Sequence, residues 1–273
     1  MAKKVKDPNK EMSFLEHLEE LRWHIIRSAL AIVILAIVAF ICKEMLFHEI
    51  IIKPSTPDFW TNRMFAKLAD LFGSNGLRIN SQPLDLVGLN MSDQFSASIW
   101  VSLIAGFIIA FPYIMFEVWR FISPALYENE RKYSTGAVFY ISLLFIIGVL
   151  FGYYIITPLS VDFLGGWQVS ETVKNTISIK SYMTTVATIS LSGGVVFELP
   201  ILIYFLSKIG LVTPETLKFY RRHAYVGLLC LSTIITPPDV FSQIMVCIPL
   251  VLLYEVGIFI AKKVEREEVK AED

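Results

Sequence analysis

Uncharged apolar blocks alternate with short charged segments along the whole chain, and the length of each block is the first thing that can be tested. A helix needs about 20 predominantly apolar residues to cross a hydrocarbon core about 30 Å thick. The block from Trp23 to Cys42 meets that length with one charge, Arg27, near its start, and Phe95 to Phe116 meets it with none. Tyr133 to Val161 is an uncharged run of 29 residues that contains Thr157-Pro158 near its end, where a break is expected. Ser181 to Ser207 also passes but carries Glu198. His223 to Ile235 is only 13 residues long, and Val240 to Ala261 holds Pro249 and Glu255; Thr236-Pro237-Pro238-Asp239 joins them. The pattern predicts six transmembrane helices at about 23–42, 95–116, 134–157, 181–207, 223–236 and 242–261, with a short fifth and sixth that would thin the bilayer locally. The fold class is therefore an all-α polytopic membrane protein in one domain, followed by a charged tail at 262–273.

Composition agrees with that reading. Apolar residues make up 55% of the 273 and charged residues 18%, against about 45–50% and about 25% in soluble domains, and mean hydropathy is +0.58. A net charge of −1 excludes a nucleic-acid polycation. Cys42, Cys230 and Cys247 lie in apolar runs without ligand-like spacing, so they read as small buried apolar groups rather than as disulfides or metal ligands.

Charge fixes the expected orientation. The segments 1–24, 117–134, 207–223 and 261–273 carry 16 Lys and Arg in 72 residues, and the alternate segments 43–92, 157–183 and 236–243 carry 7 in 85. Basic residues stay on the cytoplasmic side, which places both termini there. No small-x-small cleavage site follows Cys42, so the first apolar block is expected to remain as a helix.

Before the first span, Ser13-Phe14-Leu15-Glu16 has capping-box form and Phe14, Leu15, Leu18, Leu21 and Ile25 recur at helical spacing, which predicts an amphipathic helix on the cytoplasmic surface. In the long first outer loop, Phe59 to Phe72 predicts a second short amphipathic helix before Gly73, capping the outer face, with Pro54, Pro57 and Pro83 as breaks. Glu198 is the most informative intramembrane residue, since a charged group at mid-helix costs roughly 2.5–3.5 kcal/mol. Gly193-Gly194 before it and Pro200 after it weaken the helix and admit a close neighbour. Its carboxyl then serves either a cavity or partner interface, or a structural hydrogen bond to another span. Asp239 reads as a helix N-cap, Glu255 as a partner for a neighbouring helix, and Glu128 to Lys132 as an i,i+4 pair that leaves Glu130 free.

Four stretches carry a resemblance: His17-Leu18-Glu19-Glu20-Leu21-Arg22, Phe121-Ile122-Ser123-Pro124-Ala125-Leu126-Tyr127-Glu128-Asn129-Glu130-Arg131, Phe197-Glu198-Leu199-Pro200, and Thr236-Pro237-Pro238-Asp239-Val240-Phe241-Ser242-Gln243. In that order and at those membrane levels they resemble the TatC family of twin-arginine translocase proteins, over nearly the whole chain. The resemblance implies a non-enzymatic receptor in a concave, glove-like six-helix bundle that exports folded proteins bearing a twin-arginine signal peptide. Glu20 and Glu130 would accept the arginine pair, with Phe121, Arg22 and Arg131 shaping the site; a guanidinium fork pairs bidentately with a carboxylate in a way Lys does not reproduce. Glu198 would contact single-span TatA- and TatB-type subunits, and Pro54, Asp239 and Gln243 match positions that matter for assembly or partner contact. Other copies of the chain and the lipid bilayer complete the expected partners. No cofactor or metal is implied, and the proton gradient is the expected energy source, since no phosphate-binding G-x-x-x-x-G-K-[ST] is present. Two features depart from typical relatives: His24 stands where a second basic residue is common, and the outer loop from Thr56 to Leu89 is longer.

Two other classes compete with that reading. Glu198 and Glu255 would suit a secondary transporter or proton-coupled channel, which usually shows two similar halves that are not visible here. An intramembrane protease fails on inventory, with no H-E-x-x-H, no G-x-S-x-G and no pair of membrane aspartates.

Overall fold

The computed structural model describes residues 14–73, 78–82, 84–122, 134–168, 170, 175–235 and 240–272. Its long helices are α1 (Phe14–Ile41), α3 (Asp93–Ile122), α4 (Ser134–Phe151) continued by α5 (Thr157–Gly166), α6 (Ile179–Phe197) continued by α7 (Leu199–Lys208), α9 (Arg221–Ile235) and α10 (Val240–Glu272). Two shorter helices, α2 (Trp60–Phe72) and α8 (Pro214–Phe219), lie in the connections after α1 and α7. Five of these spans are long and apolar enough to cross a membrane; α9, with 15 residues, is the short one that the sequence leads one to expect. The sixth is longer than expected. It runs 33 residues because the charged 262–272 stretch continues the same helix instead of leaving it, so only one of the last two spans is short.

The segment before Trp23 is not a separate surface helix. It is helical, but collinear with the first span from Phe14 onward, since no Gly, Pro or competing cap interrupts it. Pro158 likewise does not end the third span. A π-helical stretch, Gly152–Ile156, absorbs the irregularity, and Thr157 Oγ1 donates to the Gly152 carbonyl at 2.9 Å. The Tyr154 carbonyl, which an ordinary residue at 158 would engage across one turn, accepts from the Thr61 hydroxyl of α2. The fourth span does break, at Glu198, between α6 and α7 with Pro200 in the first turn of α7.

Close approach at small residues sets the packing. A Cβ on Gly106 would lie 2.5 Å from the Ala36 nitrogen, where α3 crosses α1. The α4–α6 crossing is tighter: a Cβ on Gly148 would meet the Gly193 carbonyl oxygen at 2.4 Å, and one on Gly193 would meet the Gly148 oxygen at 2.5 Å. The close neighbour expected at Gly193-Gly194 is thus the third span, in the manner of small-residue crossings in membranes. Phe111 stacks on Phe145 beside this crossing with ring centroids 3.5 Å apart.

Large apolar side chains on the outside of α1, α3, α4 and α10 remain exposed, as they must in helices that face lipid. The cysteines share that surface. Cys42 and Cys230 are exposed and Cys247 is half-buried, so they are not the buried groups their apolar surroundings suggest. On the face opposite the chain ends, a two-residue parallel pair, β1 (Leu86–Val87) with β2 (Ile177–Ser178), ties the two long loops together.

Candidate functional site

At the face where the chain begins, the ends of α1 and α3 lie side by side. Arg22 places its guanidinium 5.6 Å from the centre of the Trp23 ring. One turn after Glu20 on α1 comes His24, which is buried; its ring meets Phe121 edge-on at 5.9 Å. The His24 Nδ1 donates to Glu117 Oε2 at 2.5 Å, and the Tyr113 hydroxyl donates to Glu117 Oε1 at 2.9 Å. Arg27 Nη1 stands 3.7 Å from the same carboxylate. Glu117, only 2% exposed, therefore has both oxygens occupied, as a buried acid requires. Glu20, Arg22 and Phe121 are brought to this corner, whereas Glu130 and Arg131 lie outside the described residues, as does the Glu128–Lys132 pair.

Sequence reading missed Glu117. It sits one residue beyond the uncharged second span and has the look of an interfacial charge. The signal that could have found it is the odd His24 on the neighbouring helix, because a buried imidazole and a buried carboxylate at the same level offset each other's desolvation.

Deeper in the bundle, Glu198 stands at the break of the fourth span. Its Oε1 is buried with no hydrogen-bond partner among the described residues. Of the two roles open to it, a structural bond to another span is not present there. Gln243, near the start of α10, donates through Nε2 to Thr233 Oγ1 at 2.6 Å and to the Leu229 carbonyl at 3.3 Å, bridging the fifth and sixth spans. Beside it runs an apolar groove of about 580 Å³, lined by Leu229, Ile244, Cys247, Ile248, Val251 and Leu252. Glu255 pairs with a neighbouring helix as expected, accepting from Arg221 at 2.7 Å and from the Tyr225 hydroxyl at 2.5 Å. Asp239 lies outside the described residues.

On the opposite face, Pro54 is buried in a 3₁₀ turn, Lys53–Ser55. Asn62 Nδ2 donates to the Pro54 and Thr56 carbonyls at 3.0 and 2.7 Å. Asn80, which adopts φ 45°, donates through Nδ2 to the Pro158 carbonyl at 2.8 Å and through its backbone to Asp162 Oδ1 at 2.6 Å. Tyr153 and Tyr182 donate to the Ile50 and Ile51 carbonyls at 2.7 and 2.8 Å. The first long loop is thus clamped to the third and fourth spans through groups that would otherwise be unpaired.

These features define a helical, polytopic membrane protein of six spans with a polar corner at one face, a buried carboxyl oxygen at a broken span that has no hydrogen-bond partner among the described residues, and a clamped cap at the other face. The model of the Sec-independent protein translocase protein (TatC) family matches residues 16–249. The TatC protein of Blattabacterium sp. subsp. Periplaneta americana is 40% identical over 266 residues, covering 97% of this chain and all of that one. Bacillus subtilis TatCy is 32% identical over 261 residues, covering 96% and 93%. A crystal structure of the twin-arginine translocase receptor TatC in DDM superposes with a TM-score of 0.71 at 33% identity, covering 89% of this chain and 98% of that one. The chain belongs to the TatC family of Sec-independent protein translocase proteins.

Proposed function

We propose that this protein is the receptor of a twin-arginine translocase, with both chain ends in the cytoplasm, and that Glu20 and Glu130 take the two arginines of the signal peptide. The observation that carries the reading is the corner built by α1 and α3. Glu20 sits one turn from His24, whose ring touches Phe121, and the His24–Glu117 bond holds the two helix ends in register. Glu117, with both oxygens engaged, is a support for that corner and not an acceptor for the peptide. Arg22 flanks it, Arg131 is assigned to the same site by the family motif alone, and the arginine forks of the peptide find carboxylates at the edge of the bilayer, where charge-assisted bonds are strong. A rim of Lys and Arg in the loops of the same face agrees with a cytoplasmic location.

The apolar groove beside Gln243 and the buried Glu198 oxygen, which has no hydrogen-bond partner among the described residues, support docking of single-span TatA- and TatB-type helices, since an intramembrane polar atom gains most from a partner that supplies its missing bond. In that arrangement Pro54 belongs to the opposite cap, Asp239 serves assembly or partner contact as the family motif implies, and passage is driven by the proton gradient.

The test is the double substitution Glu20→Gln with Glu130→Gln. Discrimination between Arg-Arg and Lys-Lys signal peptides is expected to disappear while the protein stays extractable and monodisperse. Photo-crosslinkers at 20, 130 and 198 give the second readout: labelling at the first two that only the Arg-Arg peptide competes away. Retained discrimination in the double variant rules out the assignment.

A further inference from the structure

We propose that α2, Trp60–Phe72, is an interfacial anchor that lies along the phospholipid boundary of the face opposite the chain ends. The helix has three faces. Thr61, Asn62 and Ala69 are buried against the protein. Trp60, Met64, Leu68 and Leu71 recur at helical spacing on a second face, where Trp60, Met64 and Leu71 are exposed. Arg63 and Asp70 form the third and are exposed, with Asp70 holding Arg78 at 2.6 Å, and exposed Lys67 lies at the edge of the apolar stripe, next to Trp60. Protein, apolar medium and water therefore each claim one side, the division expected of a helix at a membrane boundary.

An independent observation sets its height. Trp60 packs edge-on against Tyr154 at 6.2 Å, and Phe59 stacks on the same ring at 5.3 Å. Tyr154 lies 20 residues beyond Ser134, at the start of the charge-free run that follows Lys132, and at 1.5 Å per residue that is about 30 Å, the thickness of the hydrocarbon core. The Trp60–Tyr154 pair thus stands at the far boundary, the level of the aromatic belt. Tyr154 and its neighbour Ile155 are themselves partly exposed, so the apolar stripe of α2 continues the lipid-facing surface of the third span. Arg63 and Lys67 border that stripe, placed to reach phospholipid phosphates while their stems cover apolar surface. A second copy or a soluble partner on this stripe would not account for the match in height or for the cationic border.

The test uses the full chain in phosphatidylethanolamine–phosphatidylglycerol vesicles, in a background of Cys42→Ala, Cys230→Ala and Cys247→Ala, with nitroxides at Met64→Cys, Leu71→Cys and Arg63→Cys. The ratio of oxygen to nickel-chelate collision rates is expected to be several-fold higher at 64 and 71 than at 63. Equal ratios at all three sites, or exclusion of both reagents at 64 and 71 by a covering protein, would overturn the proposal. Cysteine-free folding is not required for the second measurement, quenching of tryptophan fluorescence by lipids brominated near the headgroup. The unsubstituted chain should show a quenched component that Trp60→Phe removes, and identical quenching of the two proteins refutes the anchor.

Discussion

Removing the Glu117 carboxylate tests the corner between α1 and α3 directly. In Glu117→Ala the His24 Nδ1 loses its acceptor at 2.5 Å, the Tyr113 hydroxyl loses its acceptor at 2.9 Å, and Arg27 loses a counter-charge at 3.7 Å. His24 is 6% exposed, so water does not readily replace the lost partner. Breaking a buried pair costs roughly 3–5 kcal/mol, and Arg27 can turn to solvent, so the lower end, about 3 kcal/mol, is expected. That is about a hundredfold in the folding equilibrium. Glu117→Gln keeps an acceptor for Tyr113 and is expected to cost about 1 kcal/mol, the usual net worth of one hydrogen bond. The assay is SDS-titrated unfolding in mixed micelles, followed by tryptophan fluorescence, for Glu117→Ala, His24→Ala and the double variant. Residues that share one bond should couple by about 1–3 kcal/mol, so the double variant is expected to be that much more stable than the two single costs predict. Single costs that add within about 0.5 kcal/mol would refute the physical reading. Because Phe121 touches the His24 ring, Glu117→Ala should also weaken signal-peptide binding more than Glu117→Gln does.

Other positions separate packing from polar support. Gly148→Val places a Cβ 2.4 Å from the Gly193 oxygen; backbone against backbone leaves nothing to yield, so a loss of about 3 kcal/mol or more and a fall in monodisperse protein are expected, whereas Gly227→Ala, open on all sides, is expected to leave elution unchanged. Asn62→Ala removes the donor to the Pro54 and Thr56 carbonyls and a partner of Asn80; about 2 kcal/mol of destabilisation and faster proteolysis in the first long loop should follow in a timed digest. Glu255→Ala releases Arg221 and Tyr225, but all three are reachable by solvent, so a cost of no more than about 1 kcal/mol is expected in the SDS titration.

The amino-acid sequence by itself determined the six spans, the weak fifth one, the amphipathic helix before Gly73, the close approach at Gly193-Gly194 and the pairing of Glu255. Each rests on one-dimensional properties: block length against bilayer thickness, local periodicity, and the cost of a charge in an apolar run. The resemblance carried by four motifs led to the family in the same way. Helix ends were less legible, since α1 and α10 continue through charged residues that hydropathy assigns to water, and since the carbonyl freed by Pro158 finds its donor in Thr61, on a helix far away in sequence. Tertiary structure alone decided the partners of His24, Asn62 and Asn80, the outward placement of Cys42 and Cys230, and which side of α2 faces the protein. The physical reason is common to all of them. Composition fixes how much apolar and polar surface a segment carries, whereas which buried donor meets which acceptor depends on the crossing of helices distant in sequence, and that crossing is set by where small residues let two backbones touch.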